Sequence, residues 1–232
     1  MRIRLLILAV CVTVGACSQQ QARTLVYGRG GDSVGLDPAL ETDGESFKVC
    51  DNLYETLVTF SPGNTEVIPL LAERWEVSAD RLTWSFHLRR GVAFHDGSSL
   101  DAQAVVFSLA RQFVPDHPFH EVEGAYQYWS SMSMSDIVRA VHAVDDYTVA
   151  IELSRPNAPF LSNLAMNFCA IVSPTAVRRW GNDYPRHPVG TGPFRFVEWV
   201  KDDRIVLDAN RDYWGAVPKL DRLIFRSIPE NS

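Results

Sequence analysis

Gly28-Arg29-Gly30-Gly31 follows a short β-type run, Thr24 to Tyr27, where a dinucleotide-binding turn would stand. Such a turn must open a helix whose N-terminal amides hold a pyrophosphate. Here Leu36-Asp37-Pro38 continues the loop instead. The glycines are therefore expected to supply positive-φ backbone near a cleft, not a nucleotide site. The six histidines (His87, His95, His117, His120, His142 and His187) are scattered, and just His117 and His120 stand close together. Zinc takes three or four ligands, so that pair reads as loop residues, and no metal or cofactor is expected. Gly190-Thr191-Gly192-Pro193 offers no serine for a nucleophile elbow. The acid pairs Glu121 and Glu123, Asp145 and Asp146, and Asp202 and Asp203 ask for no proton transfer, and catalysis is not expected. Aromatics carry more. Tyr126, Tyr128 and Trp129 share an irregular segment, where they either cover a core edge or line a ligand cleft.

The elements that must position these residues are legible from periodicity. Phe47, Cys50, Leu53, Tyr54 and Leu57 recur at helical spacing and predict a helix over 44–57. Trp75 to Val77 and Leu82 to Leu88 read as paired strands, and Ile137 to Leu153 as a hairpin turning at Asp145-Asp146. A helix is expected over 101–113, capped by Ser99 or Asp101, and another over 159–166 opened by proline. A strand over 169–172, a helix over 175–180, and strands over 194–199, 204–208 and 223–227 complete the pattern. The mixture is α/β or α+β, without an internal repeat or a low-complexity linker. The last strand runs into Ser227-Ile228-Pro229 and stops, so the chain is expected to break off within a fold.

The N-terminus bears on compartment. Arg2 and Arg4 precede an apolar run from Leu5 to Val14, which is typical of a secretory signal and too short to cross a bilayer as a helix. Val14-Gly15-Ala16-Cys17 then resembles a bacterial lipobox, in which Cys17 would carry the lipid. Ordinary cleavage after Ala16 or Ala22 is the alternative. Of four cysteines, Cys11 and Cys17 fall in this segment. Cys50 and Cys169 remain, and they read as free, buried thiols rather than a disulfide. The formal charge of −6 becomes −8 once Arg2 and Arg4 are removed, which argues against nucleic acid as a partner.

Longer stretches then resemble one family. Leu71-Ala72-Glu73-Arg74-Trp75-Glu76-Val77-Ser78 and Leu82 through Gly97 resemble the signature of the family 5 extracellular solute-binding proteins, the peptide- and nickel-binding receptors of ABC importers. Asp101 to Ser108, Gly190 to Phe194, Asn210 to Gly215 and Pro218 to Asp221 continue the likeness across the mature chain. His117 to His120, Gly124 to Trp129 and Arg155 to Met166 look most like the dipeptide and antimicrobial-peptide branch. Gly28 departs from that branch, which often has a cysteine there for its usual disulfide.

The resemblance implies an α/β, type 2 periplasmic-binding-protein clamshell whose second lobe is missing from this chain. Residues 1–17 would be the lipoprotein signal, 18–60 with 180–232 the incomplete first lobe, and 61–179 an inserted subdomain of that lobe. It implies capture of peptides at the cell envelope or in the periplasm, and delivery to an ABC permease and its ATPase. A nickel-chelate, haem or oligosaccharide receptor and a lipoprotein chaperone or sensor are the alternatives. Ligand-binding candidates are Glu41, Thr42, Gly44 and Glu45 in the loop after Leu36-Asp37-Pro38, with Tyr126 and Trp129. This part alone is expected to bind poorly, because one cleft wall would face water.

Overall fold

The computed structural model describes residues 22–120 and 126–228. The expected signal segment with Cys17, and the pair Glu121 and Glu123, lie outside the described residues.

Two four-stranded sheets organise the chain. In the first, β1 (Thr24–Arg29) lies parallel to β10 (Arg222–Ser227), which pairs antiparallel with β9 (Arg204–Ala209) and through it with β8 (Phe194–Val200). Near-opposite ends of the chain thus share one sheet. Ile205, Leu207, Leu223 and Phe225 alternate toward one face, as the two-residue period of a strand requires. There they meet Val49, Cys50 and Leu53 of α1 (Gly44–Leu53) and Ala176 and Val177 of α6 (Pro174–Trp180).

The second sheet is antiparallel throughout, in the order β4 (Ala72–Val77), β5 (Thr83–Leu88), β7 (Thr148–Leu153), β6 (Val138–Asp145). Helix α2 (Ala102–Ala110) covers it, capped by Asp101, whose carboxylate accepts from the Ala104 amide at 2.8 Å. A ribbon of β2 (Val58–Phe60) and β3 (Val67–Pro69) and the short helices α3 (Gln127–Ser131), α4 (Met134–Ile137) and α5 (Phe160–Leu164) close this second core. Helix α6 packs with the first core, as do Phe107, Ala170 and Val172, while Ala39, Leu57 and Val58 pack with the second.

Four expectations need correction. The helix expected to Leu57 stops at Leu53, because Glu55 leaves the helical path to bridge Ile171. The strand expected over 169–172 is a 3-10 turn, Asn167–Cys169, followed by that single bridge. Its buried polar groups are met by side chains instead: Gln112 donates to the Phe168 carbonyl at 2.9 Å, and the Val172 amide donates to Ser108 Oγ at 3.0 Å. Helix α2 ends at Ala110, where Arg111 turns its side chain away to Asp37. Lastly, none of Gly28, Gly30 and Gly31 has positive φ. Gly28 lies within β1, paired with Arg226 of β10, and a Cβ there would lie 2.9 Å from Ile228 Cδ1.

Candidate solute-binding groove

Helix α1 forms one wall of the site. Asp43 caps it, accepting from the Ser46 amide at 2.8 Å, and Glu45 in the first turn complements the helix dipole. Val49, Cys50, Leu53 and Tyr54 pack in the core, while Phe47 and Asp51 line a groove shared with the segment Ala165–Ala170, which the edges of Cys50 and Tyr54 also reach. The groove has two chambers that share Ala165 and Asn167. The first, about 260 Å³, is walled by Phe47, Phe60, Tyr128, Met166 and Phe168. Phe47 meets Tyr128 edge-on at 5.6 Å, and Tyr128 stacks on Phe168 at 6.0 Å. The second, about 330 Å³, is lined by Asp51, Tyr54, Glu55, Thr59 and Tyr213 among others.

Around the second chamber, side chains staple the two cores together. The buried Glu55 carboxylate accepts from Thr191 Oγ1 at 2.8 Å, Tyr213 OH at 2.6 Å and Trp214 Nε1 at 2.9 Å. Desolvation raises its pKa against the pull of these three donors. His95 Nε2 lies 2.9 Å from the Gly192 carbonyl, and burial lowers the pKa of this imidazole to about 4. Gly190 and Gly192 lie against the end of α1, where the Gly192 amide donates to the Leu53 carbonyl at 2.9 Å. A Cβ on Gly192 would sit 2.7 Å from the Asn52 carbonyl oxygen. This close backbone approach, not a nucleophile, explains the Gly-Thr-Gly-Pro run. Behind α1, Arg111 grips Asp37 with two bonds of 2.6 Å, both side chains being 3 % exposed.

The expected site residues are dispersed. Thr42 and Gly44 are exposed at the start of α1 and Glu45 is half-buried, where it pairs with Lys48 at 2.8 Å. Glu41 is buried beneath them, its carboxyl packed against Gly35. Burial first, then the charges of Asp43 and Asp37, raise its pKa to about 7. Tyr126 and Trp129 are corrected: both are core residues. Trp129 is 1 % exposed and stacks on Phe113 at 5.5 Å, while Tyr126 donates to the Phe119 carbonyl at 3.2 Å. Tyr128, directly before Trp129, is the aromatic that reaches the groove, because α3 turns neighbouring side chains to different faces. Phe47, Asp51 and Met166 also line the groove, and the sequence reading does not single them out. The sequence signal for the first two is their i, i+4 spacing beside the buried stripe of α1.

The other singled-out residues are structural. His117 packs edge-on against Phe107 at 4.9 Å, and His120 Nδ1 lies 2.7 Å from the Arg111 carbonyl. Cys50 and Cys169 are free, buried thiols whose pKa values burial pushes well up.

Comparison with known proteins places this architecture. The profile of the bacterial extracellular solute-binding proteins, family 5 (middle), matches residues 66–232. The chain is 42% identical over 236 residues to a dipeptide-binding protein of Escherichia coli (strain K12), spanning 96% of this chain and 44% of that protein. It is 36% identical to heme-binding protein A of Haemophilus influenzae, spanning 97% of this chain and 45% of that protein. Among solved structures, the periplasmic binding protein DppA from Helicobacter pylori in complex with the peptide STSA superposes with a TM-score of 0.83 at 41% identity. That match covers 90% of this chain and 44% of that one. The chain thus spans somewhat less than half the length of the curated relatives it matches. The fold is the mixed α/β architecture of the type 2 periplasmic binding proteins. The chain belongs to the bacterial extracellular solute-binding proteins, family 5.

Proposed function

We propose that this chain supplies one wall of the cleft of a peptide receptor, the substrate-binding component of an ABC importer. The observation that carries the reading is the two-chambered groove along α1, with an aromatic end and an acidic end. Peptides suit such a wall, since an aromatic surface gives large contact area to varied side chains. The similarity to proteins named for dipeptides supports the same reading. Thr42, Gly44 and Glu45 at the exposed start of α1 would contact the solute backbone. Glu41 would support that loop from beneath.

A solute docked on this wall stabilises a closed form once a facing lobe adds contacts that the open form lacks. The closed form would then dock on a membrane permease, with energy from the partner's ATPase. Residues 1–17 would direct export to the periplasm or cell envelope, and Cys17 would carry the lipid that tethers the receptor to a membrane. Residues 61–179 would form a subdomain inserted within the first lobe.

Calorimetric titration of the full-length protein with dipeptides, nickel–histidine and haem tests the proposal. Dipeptides are expected to bind at micromolar Kd or tighter, on the order of −8 kcal/mol. Binding of haem or the nickel chelate with no response to any peptide would overturn it.

A further inference from the structure

The two chambers lie on consecutive turns of one helix wall and differ in chemistry. Phe47 opens into the aromatic chamber and Asp51, four residues later, into the polar one. A rise of 1.5 Å per residue separates these positions by about 6 Å along the helix axis. Asn167 lines both chambers and so marks where one passes into the other.

Polar lining in the second chamber is one-sided. Glu55 is saturated by Thr191, Tyr213 and Trp214, with Arg89 the nearby cation outside the lining. Asp51 differs. Lys48, the cation nearest to it along α1, is held by Glu45 at 2.8 Å, and no ion pair to Asp51 is found among the described residues. Among the described residues lining either chamber there is no lysine, arginine or histidine.

An extended peptide advances about 3.3 Å per residue and repeats a side-chain direction every second residue, hence about 6.6 Å between side chains on one face. That repeat matches the helix spacing between Phe47 and Asp51. Resting on the peptide-receptor reading above, we infer that the groove selects extended peptides with a bulky apolar side chain on Phe47, Tyr128 and Met166 and a basic side chain two residues later at Asp51. Tyr128 and Asp51 are the specificity-determining residues. The aromatic chamber favours the first side chain by removing its apolar surface from water. Asp51 favours the second by charge, in a groove that holds no competing cation.

The test titrates the full-length protein with Leu-Ala-Lys, Leu-Ala-Glu and Ala-Ala-Lys. Leu-Ala-Lys is expected to bind about tenfold tighter than either of the others, a difference of about 1.4 kcal/mol. In Asp51→Asn the ratio of Leu-Ala-Lys to Leu-Ala-Glu should fall to about threefold or less, and in Tyr128→Ala the ratio of Leu-Ala-Lys to Ala-Ala-Lys should collapse likewise. Asp51 is exposed, so Asp51→Ser provides a second variant whose Tm reports that the fold is intact. Peptide binding with ratios that ignore both substitutions overturns the selectivity and leaves the receptor reading standing. Absence of any peptide binding removes both.

Discussion

Glu41 lies buried beneath the loop that leads into α1, with Asp37 and Asp43 as charged neighbours. Its pKa, about 7 in the folded chain against an ordinary 4.5, means that folding disfavours the carboxylate. The stabilising contribution of the neutral acid is complete below about pH 4.5 and is lost as pH rises through 7. Replacing Glu41 with Gln removes that dependence. The unfolding free energy of Glu41→Gln relative to the parent is therefore expected to rise by about 3 kcal/mol between pH 4.5 and pH 8. Urea melts at the two pH values measure it, and parallel curves would refute the burial argument. His95 acts in the opposite sense. Its imidazole, held near a pKa of 4, contributes stability above pH 6.5 that drains away as pH falls toward 4. Neither carboxyl nor imidazole was legible in the sequence as perturbed, because desolvation depends on neighbours brought from distant positions.

At the scale of elements, the chain's glycines divide into those that mark backbone contact and those that do not. The Gly190–Gly192 run touches the last turn of α1, and a Cβ on Gly190 would fall on the Leu53 carbonyl. Gly190→Ala and Gly192→Ala are each expected to cost about 3 kcal/mol, since backbone atoms cannot yield as a flexible side chain can. Gly44→Ala is the contrast. Nothing lies within 4 Å of a Cβ there and its φ is not positive, so the change should be neutral or stabilise α1 by about 0.5 kcal/mol. Thermal unfolding of the three variants checks the ordering, and equal Tm values across them would contradict it. The sequence located α1, α2, the Asp145-Asp146 hairpin and the three strands after residue 190 within a few residues. Their apolar periods survive folding unchanged. It overextended α1 and misread 169–172 because there the backbone bonds are completed by Gln112, Ser108 and Glu55, which no local pattern announces.

Across the whole molecule, the buried Asp37–Arg111 pair joins the loop after β1 to the end of α2. Removing one partner strands the other charge away from water. Asp37→Ala is expected to destabilise the protein by about 3–5 kcal/mol, whereas Asp37→Leu combined with Arg111→Met should cost much less. Denaturant unfolding of both variants decides this, and a double variant as unstable as the single one would show that the pair itself, not the orphaned charge, carries the effect. The amino-acid sequence by itself determined most of the helices and strands, that the chain is acidic, and the family, since periodicity, composition and motif spacing are local properties of the chain. The tertiary structure decided which aromatics line the groove. Tyr128 lines the groove while Tyr126 and Trp129 are buried, because that choice depends on how α3 is rotated against a core assembled from residues far apart in sequence.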